Sequence, residues 1–126
     1  MLVVNRFRVE EEAGAAFLAE LQAALEALAG KRGYVDGQIG RNIDDPTLWV
    51  LSTRWENVGS YRRALSAYDV KLNAVPLLSR AVDEPSAYEL VEDAAALNVA
   101  VPRSSAPSAR ASGRGPARPI AIDADR

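Results

Sequence analysis

The sequence predicts an α+β fold: a four-stranded antiparallel sheet with two helices on one face, in the split βαβ, ferredoxin-like arrangement. Three observations predict it. Leu2 to Val9 and Thr47 to Glu56 alternate with the two-residue period of a strand, whereas Ala15 to Lys31 carries apolar residues at helical spacing. Turn signals divide the remainder so that the elements run strand, helix, strand, strand, helix, strand.

In the first strand Val3, Asn5, Phe7 and Val9 share one face, and Leu2, Val4, Arg6 and Arg8 the other. Glu10, Glu11 and Glu12 follow, where the positive end of a helix dipole favours negative charge; three consecutive acids point in different directions and do not converge on a metal. Phe17, Leu21, Ala24, Leu25 and Leu28 form the apolar stripe of the first helix, which ends at Gly30-Lys31-Arg32-Gly33. Tyr34 to Asn42 reads as the second strand, where Gly37 and Gly40 signal a bulge or a close approach. Asp44-Asp45-Pro46 turns the chain into the third strand, so these two strands form an antiparallel hairpin. The third strand sets Trp49, Leu51, Thr53 and Trp55 on one face, which puts both tryptophans of the chain on one side. Asn57 is positioned to cap the second helix, with Val58, Tyr61, Leu65 and Tyr68 on its buried face. Leu72, Val75 and Leu78 suggest a further helical piece interrupted by Pro76, and Ser86 to Glu92 reads as the last strand.

At 126 residues, 48% apolar and 25% charged, the chain has one domain's worth of core. No apolar run is long enough to span a membrane and no signal peptide is recognisable, so a cytoplasmic protein with no membrane partner is expected. The absence of cysteine excludes disulfides and thiolate chemistry. The absence of histidine excludes a serine-histidine triad, histidine-ligated metals and a proximal-histidine haem. Acid–base work is left to Asp, Glu, Tyr, Lys or the substrate. Residues 1–101 hold ten Lys/Arg against fifteen Asp/Glu, a net charge of −5, which argues against a nucleic-acid partner.

Leu2, Val4, Leu48 and Val50 make the sheet apolar on the side away from the first set as well, and a second copy would cover them; a homodimer through the sheet face is predicted. The folded domain is expected over residues 1–97. Residues 98–126 form a Pro/Ser/Ala/Arg-rich tail expected to be disordered. Within that tail Pro119-Ile120-Ala121-Ile122-Asp123 is an apolar island, read either as an unstructured end or as a docking peptide that adds as a strand to a partner.

Val4-Asn5-Arg6-Phe7, the hairpin from Tyr34 to Trp55, and Trp55-Glu56-Asn57 leading to Tyr61 resemble the antibiotic biosynthesis monooxygenase family over roughly residues 1–93. The resemblance implies a dimeric α+β barrel in which two such sheets pack face to face, with a pocket between helices and sheet in each subunit. It implies one of two chemistries: cofactor-free oxidation of phenols or anthrones by molecular oxygen, or haem degradation. In both, an Asn on the first strand and a Trp ending the third line the cavity, and here these are Asn5 and Trp55. Haem-degrading relatives carry a histidine on the second helix, where this chain has Arg63-Ala64-Leu65. The cofactor-free oxygenases share a second Asn four residues before the Trp, where this chain has Leu51.

The expected reaction is therefore a cofactor-independent monooxygenation of a small electron-rich aromatic. Asn5 and Trp55 are the catalytic candidates, Phe7, Leu51, Tyr61 and Leu65 the substrate-binding candidates, and no cofactor or metal is expected. Asn5 can hydrogen-bond a carbonyl or phenolate, or satisfy itself on backbone groups. Trp55 can line the pocket or close the core, and Trp49 reads as core. Asp36 is the acid placed nearest a cavity, while Arg6 and Arg54 read as partners for acids across the sheet. The competing expectation is a catalytically silent ligand-binding or assembly dimer of the same fold.

Overall fold

The computed structural model describes residues 1–91, in two compact units, Met1–Asp83 and the residues from Glu84 on. Its elements are β1 (Leu2–Arg8), a 3-10 turn (Glu11–Ala13), α1 (Gly14–Ala29), β2 (Tyr34–Arg41), β3 (Leu48–Trp55), α2 (Val58–Ser66), α3 (Tyr68–Asn73), α4 (Val75–Leu78) and β4 (Ala87–Tyr88). Within the first unit the strand order is β2-β3-β1, both pairs antiparallel. The predicted fold class is the observed one. The expected domain boundary near Leu97, the end of the last predicted strand and the tail island Pro119–Asp123 lie outside the described residues.

Alternation along β1 and β3 sends Val3, Phe7, Trp49, Leu51, Thr53 and Trp55 into the core, each no more than 7% exposed. From α1 the core receives Gly14, Phe17, Leu21, Ala24 and Leu28, a stripe at three- and four-residue steps. Phe17 stands edge-on to both Phe7 and Trp49, with ring centroids 5.2 and 5.7 Å apart. On the opposite face Leu2, Val4, Leu48 and Val50 are half-buried beside the paired Asp36 and Arg54.

The β2–β3 hairpin is tied by the Asn42 carboxamide, whose Oδ1 accepts from the backbone N–H groups of Asp44 and Asp45 at 2.9 and 2.8 Å. Val35 occupies a bulge between Tyr34 and Asp36. Gly37 meets the close approach expected of it: a Cβ there would lie 2.7 Å from both the Tyr34 hydroxyl and Leu25 Cδ1.

Three sequence expectations are corrected. Tyr68 is 77% exposed rather than buried with Tyr61, because Ala67 adopts an extended conformation (φ −69°, ψ 144°) that ends α2 and resets the helical phase. Pro76 opens α4 instead of interrupting a helix, since its missing N–H would be unpaired in a first turn anyway. Within the described residues the last strand is the two-residue pair Ala87–Tyr88, shorter than the stretch beginning at Ser86.

Candidate functional site

Register places the predicted site residues relative to one another. Asn5 stands directly opposite Leu51 across β1 and β3, and Ile39 of β2 flanks Leu51 on its other side, so one row crosses the helix-facing side of the sheet. Phe7 lies one step along, opposite Trp49. Trp55 is four residues beyond Leu51 at the end of β3, roughly 13 Å along the strand. There it meets Tyr61 of α2, with ring centroids 5.5 Å apart, and Tyr34, also 5.5 Å away and edge-on. Leu65 packs half-buried against the same core. The candidates thus form two groups: Asn5, Phe7 and Leu51 at mid-sheet, and Trp55, Tyr61 and Leu65 at the strand exit.

Their accessibility differs. Phe7, Leu51 and Trp55 are each 1% exposed and packed into the core. Asn5, Tyr61 and Leu65 are half-buried, and the Asn5 carboxamide has no hydrogen-bond partner among the described residues. A half-buried amide held between Val3, Phe7 and Leu51 can donate to, or accept from, one polar atom of an otherwise apolar ligand.

The Trp55 indole is committed. Its Nε1–H donates to Thr53 Oγ1 at 2.9 Å, so the buried ring has no proton left for a ligand. Thr53 is only 3% exposed, and its hydroxyl oxygen supplies the acceptor that the buried indole needs. Thr53 and Tyr34 were not singled out as site residues. The Thr-x-Trp spacing was the available signal for the first, because residues two apart on a strand share a face.

Electrostatics on the helix-facing side are sparse. Burial pushes the Tyr61 phenol up to about 12, and burial also raises the Tyr34 phenol, with the nearby Asp36 charge adding to it. Both are therefore protonated at neutral pH and can donate. Asp36 does not approach this side: it lies on the opposite face, where Arg54 Nε and Nη2 donate to its carboxylate at 2.9 and 2.6 Å. That bidentate bond holds its carboxyl below the ordinary range. Arg54 pairs across the sheet as expected. No helix among the described residues is long and apolar enough to cross a membrane.

An antiparallel sheet roofed by helices, with a half-buried amide on its first strand and a buried tryptophan ending its third, defines an α+β protein of the ferredoxin-like class. The chain belongs to the antibiotic biosynthesis monooxygenase family, which it matches over residues 1–71. Among solved structures it is similar to SnoaB, a cofactor-independent oxygenase from Streptomyces nogalater, at 23% identity over 74% of this chain and 94% of that one, with a TM-score of 0.61. A point mutant of SnoaB matches at 26% identity over 64% and 82%, with a TM-score of 0.57. A conserved protein from Methanosarcina mazei matches at 21% identity over 68% and 84%, with a TM-score of 0.56. No curated protein matches the chain.

Proposed function

We propose that this protein is a cofactor-independent monooxygenase that oxidises a small electron-rich aromatic, a phenol, quinol or anthrone, with molecular oxygen. The observation that carries the reading is the Asn5 carboxamide, unpartnered among the described residues and set in an apolar row on the helix-facing side of the sheet. The amide would hold the substrate's oxygen and stabilise negative charge as it grows there. Leu51, Phe7 and Trp55 would supply a shaped, dry wall, and Tyr61 and Leu65 the side facing α2. For an anthrone the reaction balances as substrate plus O2 giving the anthraquinone plus water, with the ring methylene oxidised to a carbonyl. The ionised substrate itself supplies the first electron, so the protein needs no resident redox group. Family membership and the likeness to SnoaB support this reading. The protein acts in this proposal as a homodimer, its half-buried Leu2, Val4, Leu48 and Val50 covered by a second copy.

Oxygen consumption measured across a panel of quinols and anthrones tests the proposal. Uptake with at least one compound, reduced about tenfold to a hundredfold in Asn5→Ala, is the expected result. A panel that consumes no oxygen above the uncatalysed rate would sink it.

A second reading is favoured by Leu51, which places an aliphatic side chain opposite Asn5. A catalytically silent dimer of the same fold would bind the aromatic through Asn5 and leave it unchanged. Mass spectrometry of small molecules that co-purify, followed by the oxygen assay on whatever is found, separates the two.

A further inference from the structure

The helix-facing side of β1 and β3 carries four residues with polar side-chain atoms: Asn5, Trp49, Thr53 and Trp55. The Trp55 indole donates to the Thr53 hydroxyl oxygen. The other two have no partner among the described residues, and one of them, the Trp49 indole nitrogen, is buried in a residue only 7% exposed. Buried donors without an acceptor are rare in folded proteins and each calls for an explanation. An indole N–H can only donate, so what it lacks is an acceptor.

Register makes these two residues neighbours. Asn5 is opposite Leu51, and Trp49 is two residues earlier on β3, opposite Phe7, so Asn5 and Trp49 are diagonal on one face. Diagonal positions are about 7–8 Å apart, within reach of an aromatic side chain. An oxygen accepting from both at about 2.9 Å bridges donors up to about 6 Å apart. The Trp49 ring is meanwhile held in place. The Arg41 guanidinium lies 5.5 Å over its centroid, Phe17 meets it edge-on, and a Cβ at Gly14 would come 3.5 Å from its Cζ2. Packing thus fixes the ring while leaving its one polar atom unused.

We propose that Trp49 is a second donor in the ligand site: its indole N–H and the Asn5 carboxamide N–H together hold one oxygen, carbonyl or phenolate, of the bound aromatic. Such an oxygen has two lone pairs and accepts both bonds, whereas a hydrocarbon of the same shape accepts neither. This rests on the aromatic-ligand reading above and assigns a binding role to a residue whose surroundings otherwise read as core.

The test uses the intact chain with 1-naphthol and naphthalene as probes, and the two indole N–H resonances as reporters. The Trp49 resonance is identified by its loss in Trp49→Phe. On titration with 1-naphthol the Trp49 indole proton moves downfield, while that of Trp55, tied to Thr53, stays close to its starting position. Trp49→Phe weakens 1-naphthol about three- to tenfold and leaves naphthalene unchanged. A Trp49 resonance that stays still while 1-naphthol saturates the protein overturns the inference. So does equal weakening of both probes, which would make Trp49 a packing residue. Binding of 1-naphthol that Asn5→Ala weakens but Trp49 ignores leaves the aromatic-ligand reading standing and removes the second donor. If neither probe binds, both fall. Should Trp49→Phe fail to fold, the shift in the unmodified chain still decides, with the resonance assigned by through-bond connectivity.

Discussion

The Thr53 hydroxyl determines what Trp55 can do. By accepting the indole proton at 2.9 Å it leaves this buried tryptophan with no donor for anything else. The positions of Asn5 and Trp55 on the helix-facing side were legible in the sequence because a polar residue breaks an apolar alternation and a tryptophan ends a strand. The Thr53 bond was not, since threonine is common in strands and alternation gives its face without its partner. Nor does alternation reveal that Trp49 keeps an unused donor; that requires the rotamers of the packed ring. Tyr61 offers a prediction at the same scale. Burial raises its phenol from 10.0 to about 12, so the folded protein holds the proton more tightly than the unfolded chain. The stability this contributes is fully present below pH 10 and is lost as pH rises towards 12. Urea unfolding measured across this window should show a steep alkaline loss, and Tyr61→Phe should flatten it; an unchanged slope in the variant would assign the loss to other groups.

Strands and the first helix were readable as elements because their periods persist over seven or more residues. The helical region after Asn57 was read only in part. Asn57 caps α2 as expected, its Oδ1 accepting from the Ser60 N–H at 2.8 Å. The break at Ala67 has no glycine or proline to announce it, so the sequence runs on while the backbone changes direction. The junction from α1 into β2 is better marked. Gly33 has φ of 90°, a left-handed value, its carbonyl accepts from the Glu56 N–H at 2.7 Å, and a Cβ there would collide with the Ser60 side chain. Gly33→Ala should therefore destabilise the protein by about 2–4 kcal/mol, combining left-handed strain with overpacking. Gly37→Ala makes the control, because the atoms that its Cβ would meet most closely are side-chain ends that can move. Chemical denaturation of the two variants side by side gives the ranking, and an equal loss would refute the argument from Gly33.

At the scale of the molecule, the apolar residues on the outer sheet face carry the dimer proposal. Leu2, Val4, Leu48 and Val50 are only half-buried in one chain, and the central Val50 lies between Arg6 and Gly40 in the register. Val50→Asp places a charge where a second copy would press, so it should shift the protein towards monomer in sedimentation velocity while leaving its secondary structure intact. A variant that sediments like the parent would move the interface elsewhere. The sequence supported this expectation through two-faced strands, yet it could not report how much of that face one chain already shields with its own neighbouring side chains.

The alternation of β3 has a consequence for how such an assembly would communicate. Leu51 faces Asn5 on the helix-facing side, while its neighbour Val50 lies on the face proposed for a second copy. A single peptide unit separates the two, about 3.3 Å of chain. No hinge, loop or chain of intermediaries stands between them. In the proposed dimer, a tilt of this strand imposed from one side would be felt on the other at once, and the pleat itself would be the shortest route for linking association to ligand affinity.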